Sequence, residues 1–170
     1  MSRAFTKEDD AGSELLVVPR APLPPGSPNY VTPRGLRQLQ AELALLEQER
    51  SALETSEEAD RTTRLNALGR RSAELQVRLG SAEVVDPRLQ PHDCVRFGAW
   101  VRVVHESGTR AEYRIVGVDE ADPNRGLLAF SAPLARALLG KRVGELALLQ
   151  TPRSSEELEV LEIGYEAGDS

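Results

Sequence analysis

Three acidic side chains lie within one five-residue segment near the middle of the chain, Ser56-Glu57-Glu58-Ala59-Asp60. Carboxylate oxygens are the ligands that hard divalent cations prefer, so such a cluster could bind a cation if its members are held together. Acids between two helices are also typical of a plain solvated turn. The elements that position Glu57, Glu58 and Asp60 decide between these two interpretations.

Leucines recur at spacings of three and four residues on both sides of the acidic segment, which is the heptad pattern of a coiled coil. Thr32 and Pro33 suit the N-cap and first residue of the first helix, and Pro87 prevents much continuation of the second. The first seam consists of Leu36, Leu39, Leu43, Leu46 and Leu53, with Arg50 filling its one gap, and the second of Leu65, Leu68, Leu75, Leu79 and Ala82, with Ser72 in its gap.

Two seams joined by a short connection are expected to fold back on each other as an antiparallel hairpin. In that pairing Leu36 faces Ala82 and Leu53 faces Leu65, so the centre of the hairpin falls at Ala59. The pattern therefore predicts a coiled-coil hairpin over residues 30–86 that carries the acidic segment at its tip.

The segments on either side of the hairpin differ from it in composition. Residues 1–29 hold a dense group of prolines, which favours a disordered tail. Residues 87–166 change to short runs that are typical of strands, with a bulge near Val160 and a proline-initiated helix at 133–139. Strands are expected at 95–97, 101–103, 113–115, 127–130, 146–150 and 158–165. The predicted fold class is α+β, a hairpin followed by a small antiparallel β domain with one short helix.

Composition narrows the classes of function. The net charge of -6 argues against non-specific duplex binding, which depends on neutralising phosphates, and favours a protein partner. The single cysteine, Cys94, cannot form an internal disulfide and suits a buried strand position in a reducing cytosol. No apolar run approaches the roughly 20 residues of a membrane span, and acids occupy the place of a basic secretion signal. His92 and His105 have no partner at metal-ligand spacing.

Several short segments of the chain match a known pattern. They are Phe97-Gly98-Ala99-Trp100-Val101, Tyr113-Arg114-Ile115-Val116-Gly117, Asp119-Glu120-Ala121-Asp122, residues 134–141, Val143-Gly144-Glu145 and Thr151-Pro152, and in the hairpin Val31-Thr32, Gly35, Leu39 and Glu42-Leu43. Together they resemble the Gre family of bacterial transcription elongation factors, nearest its GreB branch, over residues 30–166.

The resemblance implies an FKBP-like fold for residues 87–166, which would dock on the rim of the secondary channel of bacterial RNA polymerase while the hairpin enters the channel. It implies that Glu57 and Asp60, with Glu58 as an alternative, help to hold a Mg²⁺ ion shared with the polymerase. The polymerase would then hydrolyse the RNA of a backtracked complex, whose 3′ end the chain meets only indirectly. The implied protein is a monomeric, cytoplasmic accessory factor that completes the active site of another enzyme.

The hairpin departs from the family pattern in two ways. The acids at the tip stand in the order Glu57 then Asp60, whereas the family has Asp before Glu. The hairpin also lacks about two heptads, or about seven to eight residues per helix, which shortens it by about 11 Å. Because a metal ligand must lie within about 2.0–2.6 Å of its ion, unchanged docking would leave the tip short of the catalytic metal. A cleavage stimulator and a non-cleaving regulator both remain open.

The segment that resembles the family's docking loop also departs, since Ser131-Ala132-Pro133 stands where the family has Asp-Ser-Pro. Candidate polymerase contacts are Ser131, Pro133, Leu134, Arg136 and Leu138. Leu134 and Leu138 fit a place in the core equally well, and Arg136 also fits an exposed helix charge.

The second helix is basic, whereas the first is more acidic. The arginines of the second helix could contact RNA or the polymerase, or they could pair with Glu47, Glu49 and Glu54 of the first helix. The basic residues are Arg61, Arg64, Arg70, Arg71 and Arg78.

Two other functions are compatible with the predicted architecture. An FKBP-like domain suggests a prolyl isomerase, but such a site needs a deep aromatic pocket, and several of the few aromatic residues here are needed for the core. A regulator related to the nucleoside diphosphate kinase regulators would share the layout with a shortened hairpin and would not cleave RNA.

Overall fold

The structure is a computed structural model that describes residues 20–57 and 59–165. Its α+β composition, a helical hairpin followed by a small sheet with one short helix, confirms the predicted fold class. The elements in chain order are β1 (Asn29–Val31), α1 (Pro33–Glu54), α2 (Arg61–Gly80), β2 (Ala82–Val84), β3 (Trp100–His105), β4 (Arg110–Val116), β5 (Leu127–Ala129), α3 (Pro133–Leu138), β6 (Leu146–Gln150) and β7 (Ser155–Gly164).

Helices α1 and α2 form the hairpin. The hydroxyl of Thr32 accepts a hydrogen bond from the amide of Gly35 at 3.0 Å, and Pro33 occupies the first turn, so α1 begins where its sequence predicts. α1 ends at Glu54, and α2 begins at Arg61.

The leucine seams of the two helices pack against each other, as the heptad pattern predicts. Leu39, Leu46, Leu53, Leu68 and Leu75 are buried, and the other predicted seam leucines are partly buried against them. Arg50 is an exception, because its side chain is exposed and pairs with Glu54 one turn along the same helix at 3.2 Å. The prediction that Arg50 fills a seam position is wrong, since a guanidinium without a buried partner is more stable in water.

Two short strands lie at the base of the hairpin. β1 precedes α1 and β2 follows α2, and the two pair in parallel with Asn29 opposite Ala82 and Val31 opposite Val84. The side-chain amide of Asn29 donates to the carbonyl of Arg78 at 2.9 Å. The segment that enters the hairpin is therefore bonded to the segment that leaves it.

The main sheet has the strand order β5-β4-β3-β7-β6. Neighbouring strands are antiparallel except for β4 and β5, which pair in parallel with Ile115 opposite Leu128. Arg102 of β3 pairs with Glu162 and Val103 with Val160, so β7 has one extra residue at this point. This confirms the predicted bulge near Val160.

A strand at 95–97 was predicted but does not form. The backbone of Val95 is instead bonded to the end of α3, donating to Lys141 at 2.8 Å and accepting from Gly140 at 2.8 Å. Gly98 follows at a φ of 84°, a left-handed conformation that turns the chain before β3 begins. The apolar residues of this segment are buried all the same, and Cys94 is buried as predicted.

The core of the β domain lies between the sheet and α3. Ala135 and Leu138 are the fully buried residues of α3, and they belong to one hydrophobic cluster with Val101 and Val103 of β3 and Leu158 of β7. The core thus fixes α3 and its preceding loop on the sheet.

Residues 1–29 were expected to be disordered, and the described part of this segment differs from that expectation. Residues 20–28 have no regular secondary structure, yet Arg20 forms ion pairs with Glu42 and Asp119, and β1 begins at Asn29. Residues 1–19, Glu58 and residues 166–170 lie outside the described residues.

Candidate functional site

The tip of the hairpin exposes two of the predicted carboxylates. Glu57 and Asp60 are both exposed in the connection between α1 and α2. Asp60 occupies the N-cap position of α2, but its side chain accepts no capping hydrogen bond, so the carboxylate is available to a partner. The guanidinium of Arg61 braces the connection by donating to the carbonyl oxygens of Ser56 at 3.2 Å and Glu54 at 3.4 Å.

The donor chemistry of Glu57 and Asp60 suits a hard cation such as Mg²⁺. Among the residues that the structure describes, no three His, Cys, Asp or Glu side chains lie together as a metal site. Two carboxylates leave most of an octahedral shell open, so water or a partner would have to supply the remaining ligands. Glu57 and Asp60 by themselves can therefore supply only part of the ligand shell of a metal ion.

Two arginines of α2 contact carboxylates of α1. Arg64 lies 3.7 Å from Glu49, and Arg71 lies 3.2 Å from Glu42. Interhelical pairing, one of the two alternatives for the basic face of α2, accounts for these two side chains. Exposed pairs of this kind stabilise a fold by about 0–1 kcal/mol each, so they add little to the stability of the hairpin.

The second candidate surface is α3 with its preceding loop. Pro133 and Arg136 are exposed, while Ser131 and Leu134 are half-buried. Leu138 is fully buried in the core of the β domain, which corrects its assignment as a polymerase contact. A side chain without accessible surface can only support the helix from beneath. The surface that remains for a partner consists of Ser131, Pro133, Leu134 and Arg136, and we call it the α3 surface.

Five charged residues join the hairpin to the β domain, and we call them the junction cluster. Arg78 is buried, and its Nε lies 3.3 Å from a carboxylate oxygen of Asp119. Arg20 donates to Asp119 at 2.8 Å and to Glu42 at 2.7 Å, and Arg71 also contacts Glu42. Partial burial opposes the ionisation of Glu42, but hydrogen bonds and charge from Arg20 and Arg71 outweigh it and lower the pKa of this carboxyl.

A second set of contacts fixes the first turn of α1 to the β domain. Glu120 accepts hydrogen bonds from the backbone amide of Thr32 at 3.1 Å, from the Thr32 hydroxyl, and from the amide of Gly117 at 3.2 Å. A Cβ at position 35 would lie 2.2 Å from the carboxyl carbon of Glu120, so this approach requires glycine. The hairpin is therefore attached to the sheet at both of its helices.

Sequence reasoning did not find the junction cluster. Arg20 and Asp119 are separated by 99 positions, and no local pattern connects residues so far apart. The only signal in the sequence was that Glu42 and Asp119 both lie in segments that match the family pattern.

The aromatic side chains of the β domain take part in packing. Phe97 lies 6.0 Å from Phe130 and 5.7 Å from Tyr30, measured between ring centroids, and the hydroxyl of Tyr165 donates to the carbonyl of Cys94. Trp100 lies directly against Gly164. These rings stabilise the core and the domain junction, which does not favour a prolyl isomerase groove built from them.

The fold and the two surfaces define a class of protein, a narrow helical probe with an acidic tip fastened to a small β domain that can serve as an anchor.

No helix in the described ranges has the length and apolar character that a bilayer crossing requires.

Comparison with known proteins identifies the family. Residues 90–165 match the family model described as transcription elongation factor, GreA/GreB, C-terminal. The chain is 36% identical over 156 residues to transcription elongation factor GreB of Yersinia pestis, with 83% of this chain and 91% of that protein covered. It is 35% identical over 153 residues to GreB of Neisseria meningitidis serogroup B, with 81% and 94% covered. The chain therefore belongs to the GreA/GreB family of transcription elongation factors.

A solved GreA/GreB factor from Nitrosomonas europaea is 22% identical, with 82% of this chain and 99% of that chain covered and a TM-score of 0.40.

Proposed function

We propose that the chain acts in the cytoplasm as a monomeric accessory factor that binds bacterial RNA polymerase at its secondary channel and regulates transcription elongation. Membership of the GreA/GreB family supports the role in elongation. The observation that carries the binding mode is the projecting hairpin, whose exposed acidic tip lies at the opposite end from the β domain. An enzyme channel accepts a narrow helical pair, and the broader β domain would stop at its rim.

The α3 surface is the proposed contact with the rim. Pro133 and Arg136 are exposed on α3, and Leu134 adds partly covered apolar area. An exposed arginine beside apolar side chains is a combination enriched at the centre of protein interfaces. The buried Ala135 and Leu138 hold the surface in place, so little order has to be gained on binding.

The length of the hairpin decides what its tip can do. α2 has 20 residues, which corresponds to about 30 Å at about 1.5 Å per residue. The alignment with the Yersinia pestis GreB has 156 positions but covers 83% of this 170-residue chain, about 141 residues, so about 15 positions have no residue here. If they fall in the hairpin, each helix is shorter by about two turns, or about 11 Å.

A shortfall of this size exceeds what side chains can bridge. The Mg²⁺ proposed at Glu57 and Asp60 would, when bound, activate water for attack on the RNA phosphodiester. Its carboxylate ligands must lie within about 2.1 Å of the ion. With the docking position expected from the family, these carboxylates stop short of the polymerase metal. We therefore propose regulation of elongation through occupancy of the channel, with little stimulation of RNA cleavage.

A backtracked-complex assay tests this proposal. The chain should compete with a full-length GreB factor and reduce the RNA shortening that GreB causes, while adding little shortening of its own. Glu57→Ala and Asp60→Ala should leave this competition within about twofold of the unmodified chain, because exposed charges contribute little to affinity.

Strong RNA shortening by the chain alone, abolished in Asp60→Ala, would show that the chain is a cleavage factor. Absence of competition at any concentration would contradict channel binding itself.

The rim contact has its own matched pair of variants. Arg136→Glu reverses a charge on the α3 surface and should weaken competition about tenfold or more, since interface arginines often contribute about 2 kcal/mol. Arg153→Glu makes the same change at an exposed position in the connection between β6 and β7 and should bind normally. Equal losses in both variants would show that net charge matters and the α3 surface does not.

A further inference from the structure

A cavity of about 280 Å³ lies between the first turn of α1 and the β domain, away from both the hairpin tip and the α3 surface. Its walls come from α1, from the segment after β2 and from strands β4 and β5. Four of its lining residues are arginines: Arg34, Arg37, Arg88 and Arg114. Neither channel binding nor the acidic tip uses this cavity.

The charge balance of the cavity favours an anion. Asp86 is neutralised by Arg88 at 2.6 Å, whereas Glu120 accepts only from neutral groups of Thr32 and Gly117 and keeps its negative charge. Within the described ranges, Arg34 and Arg37 form no ion pair. Arg34 and Arg37, on one helix turn, thus outweigh the single charge of Glu120 and leave the concave site with a net positive charge.

The remaining walls of the cavity are apolar, which indicates that its ligand is larger than a simple ion and has an apolar part. Pro33, Pro87, Val116 and Leu127 line the same cavity. A volume of 280 Å³ approaches the lower range of small-molecule sites, about 300 Å³, and is far larger than one phosphate needs. Guanidinium groups bind phosphate oxygens in pairs and also stack on planar rings. The cavity therefore suits a ligand with a flat ring at one end and phosphates at the other.

We propose that this cavity binds a nucleoside triphosphate, with Arg34 and Arg37 contacting the phosphates and the proline and aliphatic walls contacting the base. Such ligands are the substrates of an RNA polymerase, so the site would allow an elongation regulator to respond to their concentration. The binding step does not depend on the proposed polymerase function.

Isothermal titration calorimetry on the full chain, without polymerase, tests the site. ATP and GTP should bind saturably, inorganic pyrophosphate at least tenfold more weakly, and adenosine not measurably. Arg37→Gln, and Arg34→Gln as a second variant, should each weaken ATP binding about tenfold, the loss expected for one charge-assisted hydrogen bond. Arg70→Gln removes an exposed arginine of α2 outside the cavity and should bind ATP normally.

Three results would overturn the proposal. They are the absence of saturable binding at millimolar ATP, equal affinity for pyrophosphate and ATP, and an equal loss in Arg70→Gln and Arg37→Gln. The circular dichroism spectrum of Arg37→Gln should match that of the unmodified chain, because this exposed side chain supports no packing. Since polymerase is absent from the titration, a failure here leaves the proposed channel binding untouched.

Discussion

Ser72 places a hydroxyl group inside the leucine seam of the hairpin. Its oxygen is buried and has no hydrogen-bond partner among the described residues. An unsatisfied buried hydroxyl costs about 1–3 kcal/mol relative to the same group solvated in water. Serine at this position therefore makes the hairpin less stable than an apolar residue would.

Ser72→Ala should raise the free energy of unfolding by about 1 kcal/mol, because it removes the unsatisfied group and keeps the β-carbon. Thermal or urea denaturation measures the change. Ser51→Ala is the control, since Ser51 is exposed on α1 and gains the same intrinsic helix propensity of about 0.5 kcal/mol. If Ser72→Ala gains no more than Ser51→Ala, the buried hydroxyl has no net cost.

For single residues of the candidate sites, the sequence could not predict how far each side chain is exposed to solvent. The tip acids were placed at the hairpin centre by the symmetry of the leucine seams, and the structure exposes Glu57 and Asp60 there. Leu138 and Leu134 read alike in the sequence, but one is fully buried and the other only partly. The difference depends on how α3 sits on the sheet, which local periodicity does not encode.

At the level of elements, the hairpin and the sheet depend on each other through the junction cluster. Asp119 belongs to the β domain and has a side chain only 4% exposed, beside Arg78 of α2 and Arg20 of the N-terminal segment. Removal of one member of a buried charge pair leaves the other without compensation, which is far more costly than loss of an exposed pair. The cluster thus fixes the direction in which the hairpin leaves the β domain.

Asp119→Ala should lower the free energy of unfolding by about 3 kcal/mol, because Arg78 stays buried without a carboxylate. Glu112→Ala removes a partner of the exposed Arg102 and should cost no more than about 1 kcal/mol. Urea denaturation compares the two variants. Equal losses would mean that the junction cluster does not hold the hairpin.

The elements themselves were largely predictable, because their signals are local. The heptads specify α1 and α2, and the predicted strand at 146–150 coincides with β6. Three features escaped prediction because distant segments create them. These are the parallel pairing of β1 with β2, the parallel pairing of β5 with β4, and the attachment of Val95 to the end of α3.

On the scale of the whole molecule, the chain combines a probe with an anchor. The tip acids at one end and the α3 surface on the β domain have separate roles in the proposed function, and the junction cluster sets the geometry between them. In the proposed function, a hairpin of this length on a GreA/GreB-type β domain occupies the polymerase channel without reaching its metal.

Site-specific cross-linking from the tip tests the central claim most directly. Cys94 is buried with 9% exposure, so a photo-cross-linker would attach selectively at position 57 in a Glu57→Cys variant. Bound to polymerase, this variant should form adducts with the walls of the secondary channel, while a label at the exposed position of an Arg153→Cys variant should not. Channel adducts from position 153 alone, or a bound complex in which position 57 contacts no polymerase segment, would contradict insertion of the hairpin.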